Sequence, residues 1–81
     1  MKHYVLLLEW SVDGKSDIQI LNVSHDLESA VTEFVKFVKE ERKLASVNGY
    51  TIDTHTQICF RAYRQGRYTQ DYVNICIVAV D

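Results

Sequence analysis

The sequence predicts an α+β fold: a ββαββ domain with a four-stranded mixed sheet, in strand order 2-1-4-3, and one helix packed on one face. Three observations predict it. Strand-like runs precede and follow a single stretch with helical periodicity, an Asp-Gly turn separates the first two runs, and the first and last runs are apolar on both faces. A chain of 81 residues makes one small domain, so the predicted ββαββ domain covers residues 1–81.

The first two strands, over residues 2–12 and 16–23, form a predicted hairpin around Asp13-Gly14. This dipeptide favours a two-residue type I′ turn, whose central residues both need a positive φ. Such a turn sets the register of the whole hairpin. It pairs Trp10 with Asp17, Leu8 with Gln19, Leu6 with Leu21, Glu9 with Ile18 and Leu7 with Ile20.

A helix of about 20 residues is predicted next, because apolar residues recur at three- and four-residue spacing and form one buried stripe. Ser24 is the predicted N-cap, since its hydroxyl can accept a hydrogen bond from the first helical turn. Asn48-Gly49 favours a left-handed end, with Tyr50 folding back onto the last turn. The stripe contains Leu27, Ala30, Val31, Phe34, Val35 and Val38.

The last two strands cover residues 57–64, which alternate as an edge strand does, and 72–80, which form an almost continuous apolar run. Strands 1 and 4 are apolar on both faces, so they are placed at the centre of the sheet. They are predicted to be parallel, with the helix crossing right-handedly between the two hairpins. The segment 50–56 is polar and β-branched, which fits either a loop or the start of a strand.

One helix covers only one face of such a sheet, which leaves an apolar face open. That face carries one of two sets: Tyr4, Leu6, Leu8 and Trp10, or Val5, Leu7, Ile18 and Ile20. An exposed apolar patch of several hundred Å² is typical of an interface. We therefore expect a homodimer or an obligate partner chain. The alternative is that the segment 50–56 folds over the open face.

Composition narrows the classes of function. The formal net charge is −2 and the pI is about 5.8, whereas general nucleic-acid binders carry a basic excess. The apolar run Val5 to Leu8 is too short for a membrane span or a signal peptide, so we expect a cytoplasmic protein with no membrane partner. Cys59 and Cys76 lie in apolar strand-like segments and are expected to be reduced, buried and inert.

A cluster of arginines and tyrosines around a predicted hairpin tip, named here the Arg/Tyr segment, is the candidate partner-binding surface. Arginine offers planar charged donors and tyrosine offers stacking area. Protein interfaces and single-stranded nucleic acids both use this combination. The same charges also fit a solvated hairpin whose edge resists aggregation. The segment contains Arg61, Tyr63, Arg64, Arg67 and Tyr68.

No catalytic, cofactor or metal site is expected. The three histidines are far apart in the sequence and have no metal-ligand spacing. The three glycines all fit turns or caps rather than a loop that cradles phosphate. A small enzyme that uses Cys59 or Cys76 beside His55 is a third class of function, although both cysteines are expected to be buried.

Three segments of the chain carry a resemblance to a known group of proteins. Residues 4–10, 24–30 and 48–52 are Tyr-Val-Leu-Leu-Leu-Glu-Trp, Ser-His-Asp-Leu-Glu-Ser-Ala and Asn-Gly-Tyr-Thr-Ile. Their layout resembles short uncharacterised ββαββ proteins of bacteria and their phages, over most of the chain. The resemblance implies a stand-alone small protein from a mobile element. It implies no catalytic residue and no ligand.

These observations predict a small non-catalytic binding or regulatory protein that acts through protein–protein contact as a homodimer. Another protein is a further expected partner, reached through the Arg/Tyr segment. Single-stranded nucleic-acid binding by the same segment is the alternative.

Overall fold

A computed structural model describes residues 2–81 and shows one five-stranded sheet with a single helix across one of its faces. The α+β class is therefore confirmed. The elements in chain order are β1 (His3–Val12), β2 (Lys15–Ser24), α1 (Leu27–Val47), β3 (Thr51–His55), β4 (Cys59–Gln65) and β5 (Gln70–Val80). The strands lie in the order β2-β1-β5-β4-β3, and every neighbouring pair is antiparallel.

The predicted four-stranded sheet in the order 2-1-4-3 is wrong, because residues 51–55 form an additional strand. This segment pairs with β4 as an edge strand, so it does not fold over the open face. The extra strand adds one reversal of chain direction after the helix. β5 therefore runs antiparallel to β1, where the sequence predicted a parallel pair. The extra strand also moves β4 from the edge into the interior of the sheet.

The first hairpin follows the predicted register over most of its length. Asp13 has φ 53° and Gly14 has φ 80°, as a type I′ turn requires. Four of the five predicted pairs are confirmed, but Leu6 lies opposite Asn22 instead of Leu21. A β-bulge between the Leu6 and Leu7 pairs leaves Leu21 as the extra residue of β2. The bulge allows Leu21 to pack against the core.

The N-cap of the helix lies two residues after the predicted one. Asp26 is the N-cap, and its carboxylate accepts a hydrogen bond of 2.8 Å from the backbone N–H of Ser29. Ser24, the predicted cap, is instead the last residue of β2. Its buried hydroxyl donates to Oδ1 of Asn22 at 2.7 Å, and the carboxylate of Asp26 caps the helix in its place.

The predicted end of the helix is confirmed. Gly49 has φ 77°, and its N–H donates to the carbonyl of Ser46. The N–H of Tyr50 donates to the carbonyl of Ala45 at 2.8 Å, which completes a Schellman motif. This reversal directs the chain from the helix into the edge strand β3.

The core lies between α1 and the face of the sheet that the helix covers. Leu6, Phe60 and Ile75 are fully buried there beneath Phe34 of the helix. The buried stripe of the helix is narrower than predicted, because Leu27 and Val35 are exposed. Its buried members are Ala30, Phe34, Val38 and Ala45.

Candidate interaction surface

The sheet face opposite the helix, named here the open face, carries the second of the two predicted sets. Leu6 and Leu8 pack in the core, so the alternating side chains of Val5 and Leu7 point to the open face. Large aliphatic side chains on this face are between 40% and 65% exposed. They are Ile18, Ile20, Val23, Val78 and Val80.

Strand register divides the open face into two halves. The aliphatic half begins at the row of Leu7 and Cys76 and extends toward the start of β1. It contains Val5, Leu7, Ile20, Val23, Val78 and Val80. The polar half lies nearer the Asp13-Gly14 turn. It contains Glu9, Ser11, Arg61, Tyr63, Tyr72 and Asn74, and the exposed Ile18 of β2 lies beside Glu9 at its edge.

The polar half has an ordered charge pattern. Asn74, on the central strand β5, lies opposite Glu9 of β1 on one side and Arg61 of β4 on the other. In the next row, Tyr72 lies between Ser11 and Tyr63 in the same way. An acid and a base therefore flank the midline of the sheet at equivalent positions.

The structure does not bring the five residues of the Arg/Tyr segment onto one surface. Successive residues of a strand point to opposite faces, so Arg61 and Tyr63 lie on the open face and Arg64 lies on the helix side. Arg67 and Tyr68 are exposed in the turn between β4 and β5, where the guanidinium carbon lies 5.4 Å from the ring centroid. Four of the five residues therefore lie on two separate surfaces, and the remaining one, Arg64, has a structural role.

Arg64 is that structural residue. Its Nε donates to Oδ2 of Asp71 at 3.0 Å, and its Nη1 donates to the carbonyl of Asn48 at 2.9 Å. The guanidinium also lies over the ring of Tyr50, 4.8 Å from its centroid. Arg64 therefore joins the β4–β5 hairpin to the end of the helix, and these contacts compete with any partner for its donors.

Asp71 completes this connection. The carboxylate is almost fully buried, and its Oδ1 accepts a hydrogen bond of 3.0 Å from the backbone N–H of Asp13. That hydrogen bond and the adjacent Arg64 guanidinium lower the pKa of Asp71, while hydrogen bonding to Asp71 raises the pKa of Arg64. An ionised Asp71 thus ties the β1–β2 turn to Arg64.

Cys59 and Cys76 lie directly opposite each other on β4 and β5 and form a disulfide. The prediction of two reduced thiols is therefore wrong in this structure, which has no free cysteine. The alternation of β4 places Cys59 on the open face, away from His55. His55 instead packs edge-on against Phe60 on the helix side, so the cysteine–histidine pair considered for catalysis is not assembled.

Sequence reasoning missed a cleft of about 330 Å³ between the second half of α1 and β1. Trp10 and Tyr50 line it, and Glu41 of the helix contributes a carboxylate. Burial raises the pKa of both Glu41 and Tyr50. A signal for this cleft was present, because Glu41 continues the three- and four-residue spacing of Phe34 and Val38 on the buried stripe.

Residues 2–81 contain neither a group of metal ligands nor a membrane-spanning helix. Among them, no three or more His, Cys, Asp or Glu side chains are grouped so as to hold a metal ion. No helix in this part of the chain is long and apolar enough to cross a membrane.

Comparison of the chain with family models, curated proteins and solved structures finds no match. The resemblance to short ββαββ proteins of bacteria and phages stays a prediction. The open face is therefore the feature from which a function is inferred.

Proposed function

We propose that the protein is a small non-catalytic binding or regulatory protein that acts through protein–protein contact, and that a second copy of the chain covers its open face. The observation that supports this proposal is the exposure of large aliphatic side chains on the open face. Ile18 is 61% exposed and Ile20 is 65% exposed on adjacent positions of the same face of β2. A continuous apolar patch of this kind is typical of protein interfaces.

The free energy available from covering this face is sufficient for a dimer. Burial of ~500 Å² of apolar surface on each copy contributes about 12 kcal/mol per copy at ~25 cal/mol per Å². Association costs about 4–15 kcal/mol in lost translational and rotational freedom. The total buried area, about 1,000 Å² over the two copies, reaches the lower bound of specific interfaces. A second copy is the proposed occupant because closed twofold dimers are the commonest oligomers.

Sedimentation velocity over a range of protein concentrations tests this proposal. We expect the wild-type protein to sediment as a dimer and Ile20→Lys to sediment as a monomer. Each dimer would carry the change twice, and each buried isoleucine contributes about 1.5–3 kcal/mol. The dissociation constant should therefore rise at least about 100-fold.

Val35→Lys is the matched control, because Val35 is 58% exposed but lies on the helix, away from the open face. This variant should dimerise like the wild type. A wild-type protein that stays monomeric at all concentrations would overturn the proposal, as would equal loss of dimer in both variants. Circular dichroism of each variant confirms that the fold is retained.

Single-stranded nucleic-acid binding is the second candidate. Tyr63 and Tyr72 are neighbours on the open face beside Arg61, an arrangement that suits base stacking next to a phosphate contact. Arg64 forms an ion pair with Asp71, and Glu9 lies on the same face as Arg61. Both features lower the positive charge available for binding phosphate. Fluorescence anisotropy with a labelled oligonucleotide tests this candidate, which requires affinity that falls steeply with salt.

The exposed pair Arg67 and Tyr68 lies in the β4–β5 turn, outside the rows of the open face. It stays accessible in a dimer formed through that face, and we propose it as the contact for another protein. The cytoplasmic location expected from the sequence stays a prediction, and the Cys59–Cys76 disulfide favours an oxidising environment instead.

A further inference from the structure

We infer that the two copies are related by a twofold axis parallel to β5, which places Glu9 of each copy against the partner's Arg61. This inference rests on the proposed self-association and adds its geometry. Two observations carry it: the position of β5 in the sheet, and the distribution of charge on either side of it.

β5 is the third of five strands, so two strands lie on each side of a line along it. Glu9 and Arg61 are both paired with Asn74, on opposite sides of that line. Each lies one strand spacing, about 4.8 Å, from the midline. The ion pairs within residues 2–81 are Lys36–Glu33 and Arg64–Asp71, so neither Glu9 nor Arg61 forms an ion pair inside its own copy.

A rotation of 180° about the line of β5 exchanges the positions of β1 and β4 and preserves position along the strands. In the resulting face-to-face pair, Glu9 faces the partner's Arg61, and Arg61 faces the partner's Glu9. Packed sheets lie about 10 Å apart, a gap that a glutamate and an arginine side chain span together. The dimer thus contains two identical ion pairs.

The same rotation pairs further residues of the face. It places Val78 and Val80 of β5 on their own counterparts, Leu7 on the partner's Cys59, and the polar half on the polar half. In the polar half, the small side chain of Ser11 meets the large side chain of the partner's Tyr63. Tyr72 and Asn74 lie on the axis and each faces its own counterpart.

Other in-plane axes fit this surface less well. An axis that crosses the strands at the row of Asn74 would reverse the strand direction and lay the aliphatic half over the polar half. It would also place Glu9 against the partner's Glu9. An axis along β1 would overlap more aliphatic surface but would again bring the two Glu9 carboxylates together. Like charges juxtaposed in an interface cost several kcal/mol.

Charge reversal tests the axis, with the dimer dissociation constant measured by sedimentation velocity for four proteins. They are the wild type, Glu9→Arg, Arg61→Glu and the double variant that exchanges both charges. Each single reversal turns two attractions into two repulsions, so we expect the dissociation constant to rise at least about tenfold. The double variant restores both pairs in the opposite sense and should return to within about threefold of the wild type.

A dimeric wild type whose affinity is unchanged by the single reversals would overturn the axis but not the self-association. Failure of the double variant to recover, with its fold intact by circular dichroism, would overturn the axis too. Asn74→Asp gives an independent measurement, because the axis along β5 places residue 74 against itself, whereas an axis along β1 does not. It should weaken the dimer, and more strongly at low salt, whereas unchanged affinity would contradict the axis. A monomeric wild type would overturn the proposed function itself.

Discussion

The carboxylate of Asp71 is shared between Arg64, whose Nε donates to Oδ2 at 3.0 Å, and the β1–β2 turn. Arg64 in turn donates to the carbonyl of Asn48 at the end of the helix. This one pair therefore connects the first hairpin, the helix and the last hairpin. Its main role is structural, although Arg64 belongs to the cluster from which the sequence predicted binding.

Asp71→Asn should lower the free energy of unfolding at neutral pH, because the amide retains an acceptor for the Asp13 N–H but loses the charge that pairs with Arg64. The pKa of Asp71 is depressed in the folded protein. Its contribution is therefore fully present above the unfolded value of about 3.9, and it is lost as the pH falls through the folded pKa.

Urea denaturation of the wild type and of Asp71→Asn between pH 2 and pH 7 measures this contribution. The free energies of unfolding of the two proteins should become equal only below about pH 4. Asp17→Asn is the control, since Asp17 is exposed on β2 and its carboxylate accepts only from the adjacent Ile18 N–H. A constant difference between the Asp71→Asn variant and the wild type at every pH would contradict the role of the charge.

Gly66→Ala should destabilise the β4–β5 hairpin and disturb the Asp71 carboxylate. A methyl group on Gly66 would collide with the carbonyl oxygen of Thr69 and would come within 2.6 Å of Oδ1 of Asp71. The Thr69 carbonyl cannot easily move away, because it accepts the N–H of Gly66 itself at 2.9 Å. Loss of more than about 2 kcal/mol is expected, since the strain adds to a weakened buried hydrogen bond.

Gly14→Ala is the comparison for this variant. A methyl group there has open space around it, so the cost is limited to the positive φ of 80°, about 1–2 kcal/mol. Hydrogen exchange separates the two effects. Only Gly66→Ala should accelerate exchange of the amide of residue 66, which donates to the carbonyl of Thr69, and equal acceleration by both variants would argue against the collision.

Glu41→Gln should stabilise the protein at neutral pH, the opposite of the effect at Asp71. Burial in the cleft beside Trp10 and Tyr50 raises the pKa of Glu41, so its ionised form is less favourable in the folded state than in the unfolded one. The folded protein therefore loses stability as the pH rises from the unfolded value of about 4.3 through the raised pKa.

Thermal unfolding at pH 4 and pH 7 checks this prediction. The variant should unfold at a higher temperature than the wild type at pH 7 and at nearly the same temperature at pH 4. Glu40→Gln, at an exposed neighbouring position of the helix, should leave the transition unchanged. A lower transition temperature for Glu41→Gln at pH 7 would show that the carboxylate is satisfied rather than desolvated.

Reduction of the Cys59–Cys76 disulfide should lower the free energy of unfolding by about 3 kcal/mol, because the bond closes a loop between residues 17 apart in the sequence. The double variant Cys59→Ser with Cys76→Ser should show a similar loss, and it should not respond to a reducing agent. Mass spectrometry after alkylation gives the state of the cysteines. Uptake of reagent by both cysteines in the untreated protein would support the original prediction of reduced thiols.

Local signals in the sequence were sufficient for the elements that depend on neighbouring residues. Asp13-Gly14 specified the first turn and most of its register, since a type I′ turn needs positive φ at both positions. Gly49 likewise specified the end of the helix. Apolar residues on both faces of β1 also indicated that one apolar face of the sheet is left uncovered by the single helix, although they did not indicate which one.

Only the tertiary structure decided the features that depend on residues far apart in the chain. Residues 51–55 become a strand because β4 lies beside them, and this one pairing reverses the direction of β5 relative to β1. Position in the sheet then directs Arg64 to Asp71 and leaves Arg61 on the open face. Residue type alone does not separate these two arginines, because strand pairing and burial determine which charges are neutralised inside the protein and which are presented to a partner.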